Sequence, residues 1–264
     1  MKILINIRQT VKRHGRKMLS FFLVLIVPII IFYLMEFYTH NPFQTMRPRI
    51  QFLNILFFEL IMALGLFLFK KGRITLWAEA CIFALVGLAN YFVLAFRSAP
   101  IMPWDILSLK TAASVADNYS YRLDKQSILV LALFILVLLI SSYCDITVTS
   151  VKIRMSGGLI SLLLLTALVN YTQSSDCLTR FRLYDKLFTP TTMAYKDGTV
   201  VAFCMQLQYL LVEKPEGYSP ERAEAILQEK PDEVDPAAAD STENTDTPNI
   251  IVIMNPVIIN VISL

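Results

Sequence analysis

Long apolar blocks dominate the first 171 residues and restrict the fold more than any other feature of the sequence. Each is close to the roughly 20 residues that an α-helix needs to cross a bilayer. Hydrophobic residues make up 55% of the 264 residues and charged ones only 17%, which is not the balance of a water-soluble domain. The sequence therefore predicts an α-helical polytopic membrane protein with five transmembrane helices. They lie at about residues 19–35, 51–69, 75–96, 127–143 and 157–171.

The first block follows a basic segment, residues 1–18. Its cations are Lys2, Arg8, Lys12, Arg13, Arg16 and Lys17. A secretory signal peptide starts in the same way, but it ends at a small-residue cleavage site, whereas here Glu36-Phe37-Tyr38-Thr39-His40 follows. We interpret the block as a retained helix.

The distribution of positive charge predicts the orientation. With five crossings, the basic N-terminus, the turn at residues 70–73 and the pair Lys152 and Arg154 all fall on one side. The positive-inside rule assigns that side to the cytoplasm. The chain is then a multi-pass membrane protein, with its N-terminus in the cytoplasm and its C-terminus outside.

The loop at residues 97–126, outside in this topology, has a pattern of its own. It enters through Pro100-Ile101-Met102-Pro103-Trp104-Asp105, where Asp105 is a plausible N-cap. Apolar residues then recur at helical spacing, which favours an interfacial helix. Two interpretations remain open: a re-entrant element that seals the bundle, or a surface that positions a lipid headgroup. The headgroup contacts would come from Arg97, Trp104, Asp105 and Lys110.

Two carboxyl groups lie within the apolar blocks. Glu59 falls near the middle of the second block, and Glu79 lies closer to the cytoplasmic end of the third. Intramembrane carboxylates are costly and often functional. Since no chain of titratable groups and no intramembrane cation accompanies them, a packing role is favoured. A small transporter is a less favoured alternative with only these two residues to support it.

The remaining composition excludes several functions. A net charge of +3 and basic residues confined to the flanks of apolar blocks do not indicate a nucleic-acid partner. His14 and His40 are far apart, and no two cysteines form a CxxC pair, so no metal site is predicted. Cys177 and Cys204 share one side of the membrane and could form a disulfide bond.

The chain after residue 171 changes character three times. Residues 172–230 predict an extracellular juxtamembrane helical segment, in which the apolar run Val200 to Val212 could lie along the membrane and Ser219 caps a short helix opened by Pro220. Residues 231–247 form an acidic linker. Residues 248–264 then begin with one β-strand.

The order of these segments resembles a known family. Five helices are followed by Pro-x-x-Pro-x-Asp-Ile-Leu-Ser-Leu from Pro100, by Gly217-Tyr218-Ser219-Pro220, and by Pro248-Asn249-Ile250-Ile251-Val252-Ile253-Met254-Asn255. This is similar to the membrane-anchored phosphoglycerol transferases, the lipoteichoic acid synthase-like members of the alkaline phosphatase and sulfatase superfamily. The resemblance implies an extracellular α/β domain with manganese or another divalent metal and a Thr or Ser nucleophile. It also implies transfer of glycerol phosphate from phosphatidylglycerol to a cell-envelope polymer or glycan.

The sequence departs from this family after Asn255. The family continues with a metal-ligand Glu where this chain has Pro256, which offers no side-chain oxygen. We therefore expect no catalytic residue, metal ligand or cofactor in this chain, which would be the anchor part, truncated at the first strand of the catalytic domain and inactive alone. A frameshift, an assembly error and a genuine short product remain alternatives for that ending. A non-catalytic membrane protein that binds lipid or a full-length synthase is the alternative function.

Overall fold

The computed structural model describes residues 2–108 and 122–210, together with Ser219 and Arg222, with side chains from Gly15 onward. The chain divides into one unit at Met1–Val212 and a second at Glu213–Leu264. The described α-helices are α1 (Lys2–Phe37), α2 (Pro42–Thr45), α3 (Pro48–Phe69), α4 (Gly72–Arg97), α5 (Lys125–Ser141), α6 (Val151–Thr172), α7 (Ser175–Phe181), α8 (Pro190–Asp197) and α9 (Thr199–Gln206). Short 3-10 helices follow at Pro103–Ile106 and Leu207–Tyr209.

Four helices are long and apolar enough to cross a membrane: Gly15–Phe37 within α1, and the whole of α3, α4 and α6. The fifth apolar helix, α5, has 17 residues and spans roughly 26 Å at 1.5 Å per residue. Within the described ranges the backbone is helical or irregular and forms no strand, apart from one isolated bridge. The structure is thus that of a helical protein with at least four membrane-competent helices; the predicted terminal strand lies outside the described residues.

Two of the predicted helices begin earlier than the apolar pattern indicates. The first was expected from residue 19, but α1 is continuous from Lys2, and the last was expected from residue 157, but α6 starts at Val151. Both extensions are rich in Lys and Arg, which are good helix formers. The apolar pattern marks where a helix can contact lipid, while helical hydrogen bonding continues beyond it.

Three basic segments meet at one end of the bundle, here called the basic end. Arg16 of α1 pairs with Asp145 at 3.1 Å. The α3–α4 turn is hydrogen-bonded to the same loop, since the Gly72 N–H donates to the Ile146 carbonyl at 2.8 Å. Arg154 of α6 donates to the Phe67 carbonyl at 2.9 Å, which satisfies a free carbonyl at the C-terminal end of α3. The segments predicted to share a side of the membrane therefore share an end of the bundle.

The opposite end, here called the far end, gathers the other connections. The Thr191 hydroxyl donates to the Ser98 carbonyl at 2.8 Å, which joins the first turn of α8 to the end of α4. The Gln126 amide donates to the Phe37 carbonyl at 2.6 Å. Asp145, four residues after α5, donates its N–H to the Ser20 hydroxyl oxygen at 2.9 Å. The helix α5 therefore runs from the far end to the basic end.

The apolar side chains form two clusters. The first joins α1, α3, α4 and α5 and contains Phe32, Phe58 and Phe83, whose rings follow one another at centroid distances of 5.7 and 4.3 Å. The second joins α3 and α6 to the short helices α7, α8 and α9. The first cluster is the core of a helical bundle, and the second attaches the segment after α6 to its side.

The second cluster corrects one prediction. The apolar run from Val200 to Val212 was predicted as a helix that could lie along the membrane; its described helix, α9, is packed against α3 and α6. Val201 and Met205 are almost fully buried. Because α9 carries apolar residues on most of its surface, it buries more apolar area by packing on Leu53 and Phe57 of α3 than it would by lying at the membrane interface.

Candidate anion-binding site

A cavity of about 230 Å³ opens at the far end, where three connections converge. They are the entry to α3, the segment after α7, and the last turn of α8. Its lining residues are Thr45, Arg47, Ile50, Arg182, Leu183, Tyr184, Lys196 and Asp197. Three cations and one carboxyl group thus face a single small space, which we call the cationic pocket.

The three cations of the pocket are solvent-exposed at its rim. Arg47 is the N-cap residue of α3, Arg182 follows α7 with a left-handed φ of 54°, and Lys196 lies in the last turn of α8. Across the described residues, none of the three pairs with a carboxylate, although Lys196 lies over the Tyr184 ring at 4.4 Å. Arg and Lys in this arrangement are the side chains that proteins use to hold phosphate and other oxyanions.

The carboxyl group of the pocket, Asp197, has no exposed surface. Its Oδ2 accepts the Tyr184 N–H at 2.7 Å, while its Oδ1 has no hydrogen-bond partner. Burial raises the pKa of Asp197 to about 7, against the opposing effects of the Tyr184 N–H, Lys196 and Arg47. The pocket therefore contains a carboxyl group that changes its charge near neutral pH.

The backbone beneath the pocket is fixed by a residue of α3. The Asn54 amide nitrogen donates to the Asp197 carbonyl at 2.8 Å and to the Ile50 carbonyl at 3.0 Å. Gly198 separates α8 from α9 with φ 83° and ψ 150°, a conformation that only glycine adopts readily. Asn54 and Gly198 together hold Asp197 at the pocket wall.

A second buried carboxyl group supports the same junction from α1. Glu36 is fully buried and accepts the Thr199 N–H at 2.8 Å and the Thr199 hydroxyl at 2.9 Å. It thus caps the N-terminus of α9 from a distant part of the chain. His40 lies 3.8 Å from Glu36 and stacks on Tyr195, but burial lowers the pKa of His40 to about 4, so its ring is neutral and this contact is not an ion pair.

These groups can bind an anion, but they do not form a metal centre. No group of three or more His, Cys, Asp or Glu side chains in the described part of the chain could hold a metal ion. The divalent metal that the family resemblance implies does not fit these residues.

No family model, no curated protein and no solved structure matches this chain.

The predicted headgroup contacts lie elsewhere at the far end. Arg97 forms two hydrogen bonds of 2.6 Å with Asp105 and one of 2.7 Å with the Pro100 carbonyl. Asp105 was expected to be an N-cap, but it is the third residue of the 3-10 helix and accepts the Met102 N–H at 2.7 Å. Partial burial acts to raise the pKa of Asp105, but the hydrogen bonds from Arg97 and the Met102 N–H, with the charge of Arg97, lower it overall. Lys110 lies outside the described residues.

The surface beside this bridge is apolar. Trp104 is partly exposed, and Ile106 and Leu107 are exposed to 60% and 80%. A tryptophan next to exposed aliphatic side chains at a helix end is typical of a membrane interface. The role of Trp104 as an interfacial contact stays a prediction.

Replacing Asp105 with asparagine should release the segment around the 3-10 helix from α4. The variant loses the paired hydrogen bonds to Arg97, and because both side chains are partly exposed the expected cost is only about 1 kcal/mol. Hydrogen exchange should become faster at the Met102 and Ile101 N–H groups. Asp185→Asn, which removes an exposed carboxylate elsewhere at this end, is the control; equal exchange in both variants would contradict the bridge.

The intramembrane and thiol residues occupy positions that sequence reasoning only partly anticipated. Glu59 is half-buried on α3, while Glu79 on α4 is buried and neither of its carboxyl oxygens has a partner.

Cys177 and Cys204 are free buried thiols of the second cluster and form no disulfide bond. Burial raises the pKa of Cys177 to about 11 and that of Cys204 to about 12.

The pocket residues were missed at the sequence level. Arg47 is more than 130 positions from Arg182 and Lys196 in the chain, and no local motif joins the three. A weak signal existed in Asp197-Gly198, since an acidic residue before glycine in an apolar stretch often marks a special backbone position.

Proposed function

We propose that the chain is a five-helix membrane module of a phosphoglycerol transferase-like protein, which holds an anionic lipid headgroup in the cationic pocket. The observation that supports headgroup binding is that three cations line the pocket rim and none of them forms an ion pair with a carboxylate in the described part of the chain. The transferase relationship rests on the sequence resemblance alone. The same pocket would serve a non-catalytic lipid-binding protein.

The number of crossings is supported by the path of α5. This helix is shorter than the four membrane-competent helices. Yet Gln126 in its first turn contacts Phe37 at the far end, and Asp145, just after its last turn, contacts Ser20 at the basic end. A helix of roughly 26 Å is a few ångströms shorter than a hydrocarbon core of about 30 Å. Local thinning of the bilayer, or long polar side chains that reach from the helix ends to the interface, can compensate for this difference. Five crossings with the basic end in the cytoplasm would place the pocket on the outer side of a bacterial plasma membrane.

The position of the pocket suits a headgroup. Arg47 directly precedes α3, so the rim lies at the level where an apolar span ends and the phosphate layer of a bilayer begins. The pocket volume accommodates a small headgroup rather than a protein segment, and Ile50 gives it an apolar wall. Phosphatidylglycerol is the ligand we propose, because it is anionic, as the pocket requires, and because it is the lipid that the family resemblance implies.

Lipid binding to the purified chain in detergent micelles tests the proposal. Native mass spectrometry should show binding of dimyristoyl phosphatidylglycerol in preference to dimyristoyl phosphatidylcholine, because the second lipid carries no net charge. The combined variant Arg47→Gln, Arg182→Gln and Lys196→Gln should bind the anionic lipid about tenfold or more weakly, as each partly exposed contact contributes about 0.5–1 kcal/mol.

The matched control removes three exposed cations at the basic end. Lys70→Gln, Lys71→Gln and Lys152→Gln change the net charge by the same amount and leave the pocket intact. Equal loss of lipid binding in both triple variants would show that only the overall charge matters and would contradict the pocket.

A small transporter remains a second candidate because of Glu79. Both of its carboxyl oxygens are buried without a partner, which is costly for a purely structural side chain. Glu79→Gln should abolish ion or proton flux in proteoliposomes if this candidate is correct. Unchanged flux, or no flux with the wild-type chain, removes it.

A further inference from the structure

We propose that binding of an anionic lipid headgroup in the cationic pocket is linked to protonation of Asp197. The protonated carboxyl group is neutral and does not repel the phosphate, whereas the ionised carboxylate does. The inference rests on the proposed function, since it concerns the same pocket. It adds a regulatory property: the module would hold its anionic ligand more tightly in acidic than in alkaline surroundings.

The geometry of Asp197 carries this inference. The residue lines the pocket, has no exposed surface, and uses only Oδ2 in a hydrogen bond. Oδ1 is left without a partner. When protonated, the carboxyl group is neutral; when ionised, it places a second negative charge at the wall of a cavity of about 230 Å³. Like charges at this distance in a partly buried site repel strongly.

The groups around Asp197 act in both directions. The neighbours of Asp197 come from four elements. Lys196 belongs to the same helix, Arg47 precedes α3, and Cys177 belongs to α7. The Asp185 carboxylate and the Tyr184 N–H come from the segment after α7. Arg182 also lines the cavity. Burial, the largest influence, and the Asp185 carboxylate raise the pKa of Asp197, while the Tyr184 N–H, Lys196 and Arg47 lower it. The result of about 7 places the change within the physiological range.

The sign of the linkage follows directly. A bound phosphate is a further negative charge near Asp197, so it raises the pKa of this carboxyl group in the complex. Binding therefore takes up a proton when the free pocket is ionised, and affinity falls as the pH rises through about 7. Linkage to one proton predicts a loss of about tenfold between about pH 6 and about pH 8.

The experiment uses the whole chain in detergent micelles and dimyristoyl phosphatidylglycerol as the probe. This lipid is a phosphodiester, whose charge stays constant over the range, so a pH dependence reports the protein. Wild-type affinity should fall about tenfold as the pH rises over two units. Asp197→Asn should bind with an affinity that does not change with pH, because its amide is always neutral while its oxygen still accepts the Tyr184 N–H.

A second variant tests the linkage without touching the pocket wall. Asp185→Asn removes the carboxylate that raises the pKa of Asp197. The lipid affinity of this variant should fall with rising pH by the same factor as that of the wild type, but the midpoint of the fall should lie at a lower pH. If Asp197 only anchored the backbone, neither its removal nor that of Asp185 would move a pH midpoint.

The possible failures are distinguishable. Wild-type binding that is preferential for the anionic lipid but constant with pH overturns the proton linkage and leaves headgroup binding in place. Loss of binding at every pH in Asp197→Asn, with unchanged thermal stability, overturns it as well, since the neutral side chain should bind best. No preference for the anionic lipid at any pH overturns both proposals.

Discussion

Gly198→Ala is expected to destabilise the protein by about 3 kcal/mol, because two costs of 1–3 kcal/mol each combine at this position. The first is the backbone conformation, φ 83° and ψ 150°, which a residue with a Cβ atom adopts only under strain. The second is space, since an added Cβ would lie 2.6–2.8 Å from the side chain of Asn54. Asn54 cannot move away without losing its hydrogen bonds to the Asp197 and Ile50 carbonyls.

Unfolding by SDS in mixed micelles measures this change, with Gly158→Ala as the matched control. Gly158 lies inside α6, where an added Cβ meets its nearest neighbour, the Cβ of Phe67, at an ordinary 3.6 Å. Alanine is the better helix former there, so the control should be neutral or more stable by up to about 1 kcal/mol. Equal stability of Gly198→Ala and the wild type would show that the α8–α9 junction does not adopt this backbone conformation.

Glu36→Ala should destabilise the protein by about 3 kcal/mol, because it leaves the Thr199 N–H and hydroxyl buried without an acceptor. The carboxyl group is fully buried and makes both hydrogen bonds itself. We expect the damage to be local at first. Limited proteolysis should therefore detect opening of the segment from α8 to α9 at lower denaturant concentrations than unfolding of the bundle.

Two further variants separate the contributions at this cap. Glu36→Gln keeps one oxygen that can accept the Thr199 N–H and should cost about 1 kcal/mol. Thr199→Val removes only the hydroxyl, and combining it with Glu36→Ala should cost less than the sum of the two, since the partners interact. Additive effects would mean that Glu36 acts elsewhere than on Thr199.

The helical character of this protein could be predicted from its sequence because membrane helices depend on local properties. A run of about 20 apolar residues satisfies its own backbone hydrogen bonds and needs no partner to cross a bilayer. The blocks at residues 51–69 and 75–96 correspond to α3 and α4 with small changes of boundary. The positive charges also indicated which connections share an end of the bundle.

The predictions that failed concerned residues whose partners the local sequence pattern does not reveal. Asp105 was expected to cap the residues after it, but it pairs with Arg97 and with the N–H of Met102 before it. The run from Val200 was expected at a surface, but α3 and α6 provide an apolar groove that buries it. In both cases the order of residues along the chain does not show which groups the fold brings into contact.

The sequence by itself determined that this chain forms long apolar helices with basic connections at one end, since each helix is specified by its own composition and length. The tertiary structure alone decided the cationic pocket and the buried carboxyl groups beneath it. Arg47, Arg182 and Asp197 come together only because α7, α8 and α9 fold back onto α3. The charge of a buried carboxyl group depends on the neighbours and on the loss of water around it, and both are properties of the packed structure.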